Sequence, residues 1–173
     1  MNPLDWVLVR LFRRARKLDD LERYERYRVQ HAIAPGFRFN GPGIILSEEG
    51  RISLGEGSYI GQHSMLLTKD GTEIVVGERT SISHFFVAYT KNTAADQDMS
   101  LPAETWSMNK GSVRIGNYCW IGFRVLVLEG VTIGDHVVVA AHSVVTTDLA
   151  SGGIYGGVPA KFIRWKKGFE PAT

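Results

Sequence analysis

The sequence predicts an all-β solenoid, a chain wound into coils from six-residue repeats. Aliphatic residues return at every sixth position through the C-terminal half, without a break, at Ile115, Ile121, Val127, Ile133, Val139 and Val145. The residue after each of them is mostly very small, and the fifth member of each six is small or β-branched. An α-helix cannot place every sixth residue on one face, and glycine in a fixed phase would weaken a long flat strand. A chain that runs straight briefly and then turns, with the small second residue at the bend, accounts for both patterns.

Residues 1–35 predict an amphipathic helical segment ahead of the solenoid. Pro3 suits a first helical position after Asn2. Apolar residues then recur at helical spacing, with basic residues between them, at Leu4, Val7, Leu8, Leu11, Ala15 and Leu18. We expect the helix to cover the open end of the solenoid, because repeat proteins need their ends covered. A basic amphipathic helix also suits an anionic membrane, so weak association with a membrane surface stays open.

Residues 36–164 predict the solenoid itself, and residues 165–173 a C-terminal tail. The six-residue phase appears upstream in two shorter runs, at Leu54, Ile60 and Leu66 and at Val76, Ile82 and Ala88. A short polar interruption contains Asp70, and a longer inserted loop at about residues 91–111 carries Asp96 and Asp98. Loops this long are uncommon in compact domains, and polar loops on a regular scaffold often bind ligands. We therefore expect the three aspartates to hydrogen-bond an acceptor substrate.

The composition is that of one globular domain. The 173 residues are 44% hydrophobic and 22% charged, and the net charge of +2 is too small to indicate a nucleic-acid partner. The single cysteine, Cys119, excludes an internal disulfide and favours a reducing compartment. The apolar stretch at residues 4–12 is too short to span a bilayer, and no small-residue cleavage site follows it. These features predict a cytoplasmic protein.

Two stretches in the C-terminal part resemble the hexapeptide-repeat acyltransferase superfamily. One runs Ile115-Gly-Asn-Tyr-Cys-Trp-Ile-Gly122, and the other runs Gly156-Gly-Val-Pro-Ala-Lys161. The resemblance covers roughly residues 54–164 and is closest to maltose and galactoside acetyltransferases and to O-acetyltransferases of polysaccharide biosynthesis. It implies a left-handed parallel β-helix, and the left-handed sense rests on the resemblance alone. It also implies a homotrimer that binds acetyl-coenzyme A (acetyl-CoA) in the grooves between neighbouring solenoids.

The resemblance further implies which residues contact the coenzyme. The positions that match the family are Trp120, Ala141, Thr146, Thr147, Lys161 and Arg164. Ala141 and Thr146 would offer backbone contacts to the pantetheine arm. Lys161 and Arg164 would approach the coenzyme phosphates, an assignment that suits cationic partners of phosphate oxygens. Trp120 would pack close to the groove, and Thr147 stands where the family often has lysine.

The choice of a catalytic base falls on His84. Acyl transfer to a hydroxyl needs a base near the acceptor, and histidine suits neutral pH. Galactoside-type relatives carry their histidine in the loop after the middle coil, and the matching residues 89–93 contain none. Other acyltransferases of the superfamily place it in an Ile-small-His setting, which is present here at Ile82-Ser-His84. We expect His84 to meet the acceptor at the loop that follows it, and His142 to lie beside the coenzyme without taking part in the chemistry.

These features predict acetyl-CoA-dependent O-acetylation of a sugar in polysaccharide or lipopolysaccharide biosynthesis. N-acetylation of an amino sugar, or acetylation of an antibiotic, stays open because a neutral amine makes less demand on a base. A non-catalytic trimeric scaffold is the alternative from another class. We reject a zinc enzyme of the γ-carbonic anhydrase type, because His136 and His142 are six residues apart and stack on successive faces. No metal is expected.

Overall fold

A computed structural model, which describes residues 2–69 and 71–170, shows a three-sided parallel β-solenoid preceded by one long helix. The chain completes five coils, and each coil contributes one short strand to each of three sheets. This architecture confirms the predicted solenoid with its N-terminal helix, and it is consistent with a left-handed β-helix. Within residues 2–69 and 71–170, no helix combines the length and apolarity needed to cross a membrane.

The elements follow one another coil by coil after helix α1, which spans Pro3–Gln30. The first coil comprises β1 (Ala32–Ile33), β2 (Arg38–Asn40) and β3 (Ile45–Leu46). The second comprises β4 (Arg51–Leu54), β5 (Tyr59–Gly61) and β6 (Met65–Leu67). The third comprises β7 (Glu73–Val76), β8 (Ser81–Ile82) and β9 (Val87–Tyr89). The inserted loop then forms an antiparallel hairpin of β10 (Lys91–Thr93) and β11 (Met108–Lys110), with a 3-10 turn at Ala103–Thr105.

The regular winding resumes after the hairpin. The fourth coil comprises β12 (Val113–Ile115), β13 (Trp120–Ile121) and β14 (Leu126–Val127). The fifth comprises β15 (Thr132–Ile133), β16 (Val138–Val139) and β17 (Val144–Val145). The chain ends with β18 (Gly153–Gly156), which extends one sheet in parallel, and β19 (Lys161–Trp165), which pairs with β18 in the antiparallel sense.

The first strands of the five coils form sheet A, in the order β1-β4-β7-β12-β15. The second strands, together with the C-terminal pair, form sheet B in the order β2-β5-β8-β13-β16-β18-β19. The third strands form sheet C in the order β3-β6-β9-β14-β17. Parallel pairing keeps the repeats in register, so that Ile82 pairs with Ile121 and Ile121 with Val139. The aliphatic residues at every sixth position therefore stack inside the prism and are almost fully buried.

The small fifth residues of the repeats fill the corners of the core, as predicted. Cys119 is buried, and its Sγ lies 3.0 Å from the carbonyl oxygen of Gly134 in the next coil. Burial raises the pKa of the Cys119 thiol, so the group stays protonated. Ser143, which has the same repeat position, is fully buried, and its hydroxyl donates to the Ala140 carbonyl oxygen at 2.7 Å.

The small second residue lies at the start of the bend, directly after the strand, and the close approach of successive coils is the reason for its size. A Cβ on Gly116 would lie 2.7 Å from the backbone carbon of Gly134 in the next coil, and a Cβ on Gly122 would lie 2.6 Å from the Ala141 nitrogen. Close approach of successive coils therefore requires glycine there. The left-handed backbone conformation falls instead on the fourth residue of the repeat, at His63, Arg79, Phe85, Tyr118, Arg124, His136 and His142.

Side chains at the third repeat position link successive coils at the corner between sheets A and B. Asn117 Oδ1 accepts from the Glu78 backbone N–H at 2.8 Å, and Asp135 Oδ1 accepts from the Asn117 N–H at 2.7 Å. Ser151 Oγ accepts from the Asp135 N–H at 3.0 Å. Each side chain thereby satisfies a backbone donor of the coil before it, and we call this arrangement the corner ladder.

Helix α1 contacts the solenoid through its C-terminal part. The hydroxyl of Tyr24 donates to the Gly41 carbonyl oxygen at 2.8 Å and accepts from the Ile44 N–H at 3.2 Å. Arg28 donates to the carbonyl oxygen of Phe37 at 2.7 Å. The large apolar residues of the first four turns, in contrast, are exposed, apart from the partly buried Val9. Only the end of the helix covers the open end of the solenoid.

The spacing between coils predicts an order of stabilities for two glycine variants. Gly116→Ala should lower the free energy of unfolding by about 2 kcal/mol, because the added methyl group meets the backbone of Gly134. Gly130→Ala is the control: its Cβ meets nothing within 4 Å, and its positive φ of 81° costs only about 1 kcal/mol. Thermal unfolding of both variants measures the order. An equal or smaller loss in Gly116→Ala would show that the coils can separate at little cost.

Candidate active site

The outer surface of sheet B carries one row of residues that includes two of the expected coenzyme contacts. In this row Trp120 pairs with Val138, Val138 with Ile154, and Ile154 with Arg164. Trp120 is 60% exposed, and Arg164 is also exposed. Since neighbouring strands lie about 4.8 Å apart, the backbones at Trp120 and Arg164 are about 14 Å apart. Both positions therefore belong to sheet B, and a register shift at Ile154–Tyr155 interrupts the last pairing between them.

The C-terminal end of sheet B is a cationic edge. Lys161 begins β19 and pairs with Gly156, and Arg164 follows near the end of the same strand. Both side chains are exposed, and neither forms an ion pair within residues 2–69 and 71–170. The guanidinium of Arg164 donates one hydrogen bond to the Trp165 carbonyl oxygen at 3.0 Å, which leaves its other donors free for a ligand. Lys166 and Lys167 follow directly in the sequence.

His84 lies at the corner between sheets B and C, in the turn from β8 to β9, and is half-buried. Backbone hydrogen bonds run along this corner, from the Arg124 N–H to the His84 carbonyl oxygen at 3.0 Å and from the His142 N–H to the Phe123 carbonyl oxygen at 2.8 Å. Ala141 occupies the corresponding third position two coils further on, and is exposed. The backbones at His84 and Ala141 are therefore about 10 Å apart.

The His84 ring makes the same kind of contact as the corner ladder. Its Nδ1 accepts from the Gln62 backbone N–H at 3.1 Å, as Asn117 Oδ1 accepts from Glu78. In the neutral ring with Nδ1 as acceptor, the hydrogen is on Nε2, so that Nε2 donates. To take a proton, His84 has to release the Gln62 N–H, either because Nδ1 accepts the proton or because Nδ1 carries the hydrogen of the other tautomer. The role of His84 as a base stays a prediction, and the resting geometry favours hydrogen-bond donation.

A column of rings covers the same corner. The ring centroids of His63 and Phe85 are 5.2 Å apart, those of Phe85 and Phe123 are 5.5 Å apart, and those of Phe123 and His142 are 5.4 Å apart. The guanidinium of Arg124 lies 5.5 Å from the Phe85 centroid and 5.4 Å from the Phe123 centroid. His142 is thus held against a neighbouring ring beside Ala141. The sequence analysis did not identify this column, although its members occupy third and fourth repeat positions that follow one another along the corner.

The remaining coenzyme candidates lie at the far end of the fifth coil. Thr146 and Thr147 follow β17 and are exposed at the corner between sheets C and A. A turn at residues 141–142 and the strand β17 separate Ala141 from Thr146, so the distance between them is below roughly 16 Å, the reach of five extended residues. These residues form a line along the edge of the fifth coil and do not enclose a pocket within one protomer.

The structure does not bring the acceptor candidates to His84. The hairpin of the inserted loop leaves the solenoid after β9, at the corner between sheets C and A, and β9 lies between that corner and His84. Asp96 and Asp98 are exposed on this loop. Asp98 Oδ1 accepts from the N–H and hydroxyl of Ser100, and these hydrogen bonds lower the pKa of its carboxyl group. Asp70 lies outside the described residues.

The two histidines considered for zinc lie at different corners. His136 stacks on Tyr118 at the corner between sheets A and B, with ring centroids 4.8 Å apart, and His142 packs against Phe123 at the corner between sheets B and C. In the part of the chain that the structure describes, no three His, Cys, Asp or Glu side chains converge on a common point.

Sequence comparison relates this chain to sugar acetyltransferases. Residues 112–147 match the family model described as bacterial transferase hexapeptide (six repeats). Galactoside O-acetyltransferase of Escherichia coli is 28% identical over 123 residues, which are 71% of this chain and 58% of that protein. An acetyltransferase assigned to colanic acid biosynthesis in E. coli is 29% identical over 123 residues, which are 71% of this chain and 63% of that protein. The chain therefore spans less than two thirds of the length of these curated relatives.

A solved structure shows the same fold at similar identity. The hexapeptide-repeat acetyltransferase of Vibrio cholerae O1 biovar eltor, in complex with acetyl-CoA, matches with a TM-score of 0.73 and 29% identity. The match covers 87% of this chain and 79% of that one. The six-residue period of residues 112–147 is thus the repeat of the matched family model, and the chain is similar in sequence and fold to hexapeptide-repeat acetyltransferases.

Proposed function

We propose that this chain is an acetyl-CoA-dependent acetyltransferase that O-acetylates a sugar in polysaccharide or lipopolysaccharide biosynthesis. The observation that carries the proposal is the pairing of sheet B, which places the exposed Trp120 and the exposed Arg164 three strands apart in one sheet. The V. cholerae relative holds acetyl-CoA, and the E. coli relatives are named for galactoside and colanic acid. These names support a sugar acceptor.

In the proposed complex the coenzyme phosphates bind at the cationic edge. Lys161 and Arg164 present free donors there, and phosphate oxygens form strong charge-assisted hydrogen bonds with such groups. The pantetheine arm follows the exposed backbone of the fifth coil from Ala141 towards Thr146, with Thr147 beside it. A cytoplasmic location belongs to the same proposal, because Cys119 is an unpaired thiol and acetyl-CoA is a metabolite of the cell interior.

A homotrimer completes the proposal, and sheet C is the face that suits a neighbouring copy. Its outer row consists of uncharged apolar residues that pair in register, at Ile45, Met65, Val87, Leu126 and Val144. Sheet A, by comparison, carries Arg51, Glu73 and Arg114 on its outer face, and the last two form an ion pair. Burial of the sheet C row against a second protomer removes a continuous apolar surface from water. The same contact brings a neighbour to the corner where His84 and Ala141 lie.

His84 acts at the point of acyl transfer in this proposal. Its Nε2–H suits donation to the thioester carbonyl oxygen, which becomes negatively charged when the acceptor attacks. The base role at Nε2 requires instead the other neutral tautomer, in which Nδ1 carries the hydrogen and gives up the hydrogen bond from the Gln62 N–H. The loop with Asp96 and Asp98 then reaches the acceptor from a neighbouring protomer, because within one protomer it lies at another corner.

Transfer to an amine is the second candidate reaction. The absence of histidine in residues 89–93 and the engaged Nδ1 of His84 both favour an acceptor that needs no strong base. A neutral amine attacks the thioester without prior removal of a proton. The mass of the product formed from a panel of sugars and amino sugars with acetyl-CoA distinguishes the two reactions.

The coenzyme proposal predicts that two cations contribute to binding. Acetyl-CoA should raise the melting temperature of the wild type by mass action on the native state. The variant with Lys161→Ala and Arg164→Ala should bind roughly tenfold or more weakly, with the larger effect at low salt, since charge-assisted contacts are lost. Arg51→Ala with Lys91→Ala, which removes two exposed cations outside sheet B, is the matched control and should bind normally. If saturating acetyl-CoA leaves the melting temperature of the wild type unchanged, the result favours the alternative of a non-catalytic trimeric scaffold.

The His84 proposal predicts separate effects on stability and on turnover. His84→Asn keeps an acceptor near the Gln62 N–H and removes Nε2, so it should fold normally and lower turnover by ~100-fold. His84→Ala should lose similar activity and also about 1 kcal/mol of stability, because the Gln62 donor loses its partner. His142→Gly, which restores the residue usual in the family, should keep most of its activity.

A third variant separates the two chemical roles of His84. The amide of His84→Gln donates a hydrogen bond but takes no proton, so retained activity indicates donation and lost activity indicates a base. Product mass and melting temperature are measured for all four variants. Near-normal turnover of His84→Asn on the true sugar acceptor would remove His84 from the chemistry.

A further inference from the structure

The first part of helix α1 extends beyond its contacts with the solenoid. The helix has 28 residues, and at 1.5 Å per residue it is about 42 Å long. Among the described residues, the first side chain of the helix that hydrogen-bonds to the solenoid is Asp20, whose Oδ1 accepts from the Gly43 N–H at 3.1 Å. The helix start is well defined, because Asn2 and Asp5 form a reciprocal capping box. A stable helical segment therefore precedes the attached part.

This free segment exposes a continuous apolar stripe, which consists of Leu4, Val7, Leu8, Leu11 and Leu18. Each of these residues is more than half exposed. At 3.6 residues per turn the stripe occupies about 100° of the helix surface and points away from the side on which Tyr24 and Tyr27 pack against the solenoid. Glu22 and Arg26 continue the same side after Leu18, so the stripe ends where attachment to the solenoid begins.

The charges of α1 are segregated along its length. Residues 6–18 contain no acidic side chain and the basic residues Arg10, Arg13, Arg14, Arg16 and Lys17. Acidic residues resume at Asp19 and Asp20, which pair with Arg23. Arg10 and Arg14 border the apolar stripe, while Arg13, Arg16 and Lys17 line a cleft between the helix and the end of the solenoid. The free segment therefore combines an apolar stripe with uncompensated positive charge.

We propose that residues 4–18 of α1 bind the surface of an anionic lipid membrane. The apolar stripe enters the boundary between headgroups and acyl chains, and Arg10 and Arg14 at its border contact lipid phosphates. The remaining three cations add a positive potential within about one Debye length of that surface. This proposal does not depend on the acetyltransferase activity.

A second copy of the chain fits this segment less well than lipid does. Two such segments side by side in parallel would bring five cations of each copy together, with Asp5 as the one acidic residue of each segment. Like charges at that density oppose association. The outer row of sheet C, which is uncharged, is the surface that suits a second copy. Charge complementarity therefore favours anionic lipid as the partner of the helix.

Flotation of the full chain with lipid vesicles tests the proposal. Vesicles that contain phosphatidylglycerol should bind the wild type, vesicles of phosphatidylcholine alone should not, and high salt should weaken the binding. Leu8→Glu, in the apolar stripe, and Arg14→Glu, at its border, should each lower the bound fraction at least about fivefold. Val29→Glu and Arg26→Glu make the same changes in the attached part of the helix and should bind as the wild type does.

Circular dichroism and sedimentation of every variant establish that fold and oligomeric state are retained. No binding of the wild type to anionic vesicles would overturn the proposal, as would equal binding to neutral vesicles. Loss of assembly in Leu8→Glu, without a change in vesicle binding, would assign the stripe to a second copy instead. Equal losses in Leu8→Glu and Val29→Glu would show that position along the helix is irrelevant, which also contradicts the proposal.

Discussion

The structure depends on the in-register backbone hydrogen bonds between each coil and the next. Successive strands lie about 4.8 Å apart, and at the corner between sheets A and B this spacing leaves no room for a Cβ at the second repeat position of the successive coils. Gly77, Gly116 and Gly134 illustrate the point, because a Cβ on Gly77 would lie 2.7 Å from the backbone carbon of Gly116, as one on Gly116 would from that of Gly134. The same spacing places the aliphatic residues in continuous stacks. It also aligns equivalent repeat positions along each corner of the prism.

The sequence period was sufficient to predict the core, because burial depends on which residues repeat. Ile121 is fully buried and Cys119 fills a corner, as the pattern indicated. The period did not reveal why the second residue is small, since close approach and a left-handed turn both favour glycine. It also could not show that third-position side chains accept hydrogen bonds from the preceding coil, because a polar residue at a corner is equally compatible with contact to water.

The candidate site was less predictable than the fold, for a geometric reason. Residues adjacent in the chain can lie at different corners of a three-sided prism, and β9 alone separates His84 from the inserted loop. Conversely, Trp120 and Arg164 are far apart in sequence and share one row of sheet B. The extent of helix α1 beyond the solenoid was also not predictable, because amphipathic spacing does not distinguish a core-facing stripe from one that faces away.

One protomer alone forms only part of the proposed acetyl-CoA site. Its cationic edge, the line of fifth-coil residues and the His84 corner are all open surfaces, and the apolar row of sheet C adjoins that corner. In the proposed trimer, a neighbour on sheet C would close the groove, exclude water from the thioester and bring a second set of loop residues towards His84. Oligomerisation and coenzyme binding should therefore be coupled, since both use the same contact.

Sedimentation velocity combined with acetyl-CoA binding tests this claim most directly, on the wild type and on Leu126→Glu. Leu126 lies in the outer row of sheet C between Val87 and Val144, so the charged side chain opposes association and leaves the core intact. The account predicts a trimer that binds acetyl-CoA for the wild type, and a folded monomer with at least tenfold weaker binding for the variant. A monomeric wild type that binds acetyl-CoA tightly, or a monomeric Leu126→Glu that binds it as tightly as the wild type does, would contradict it.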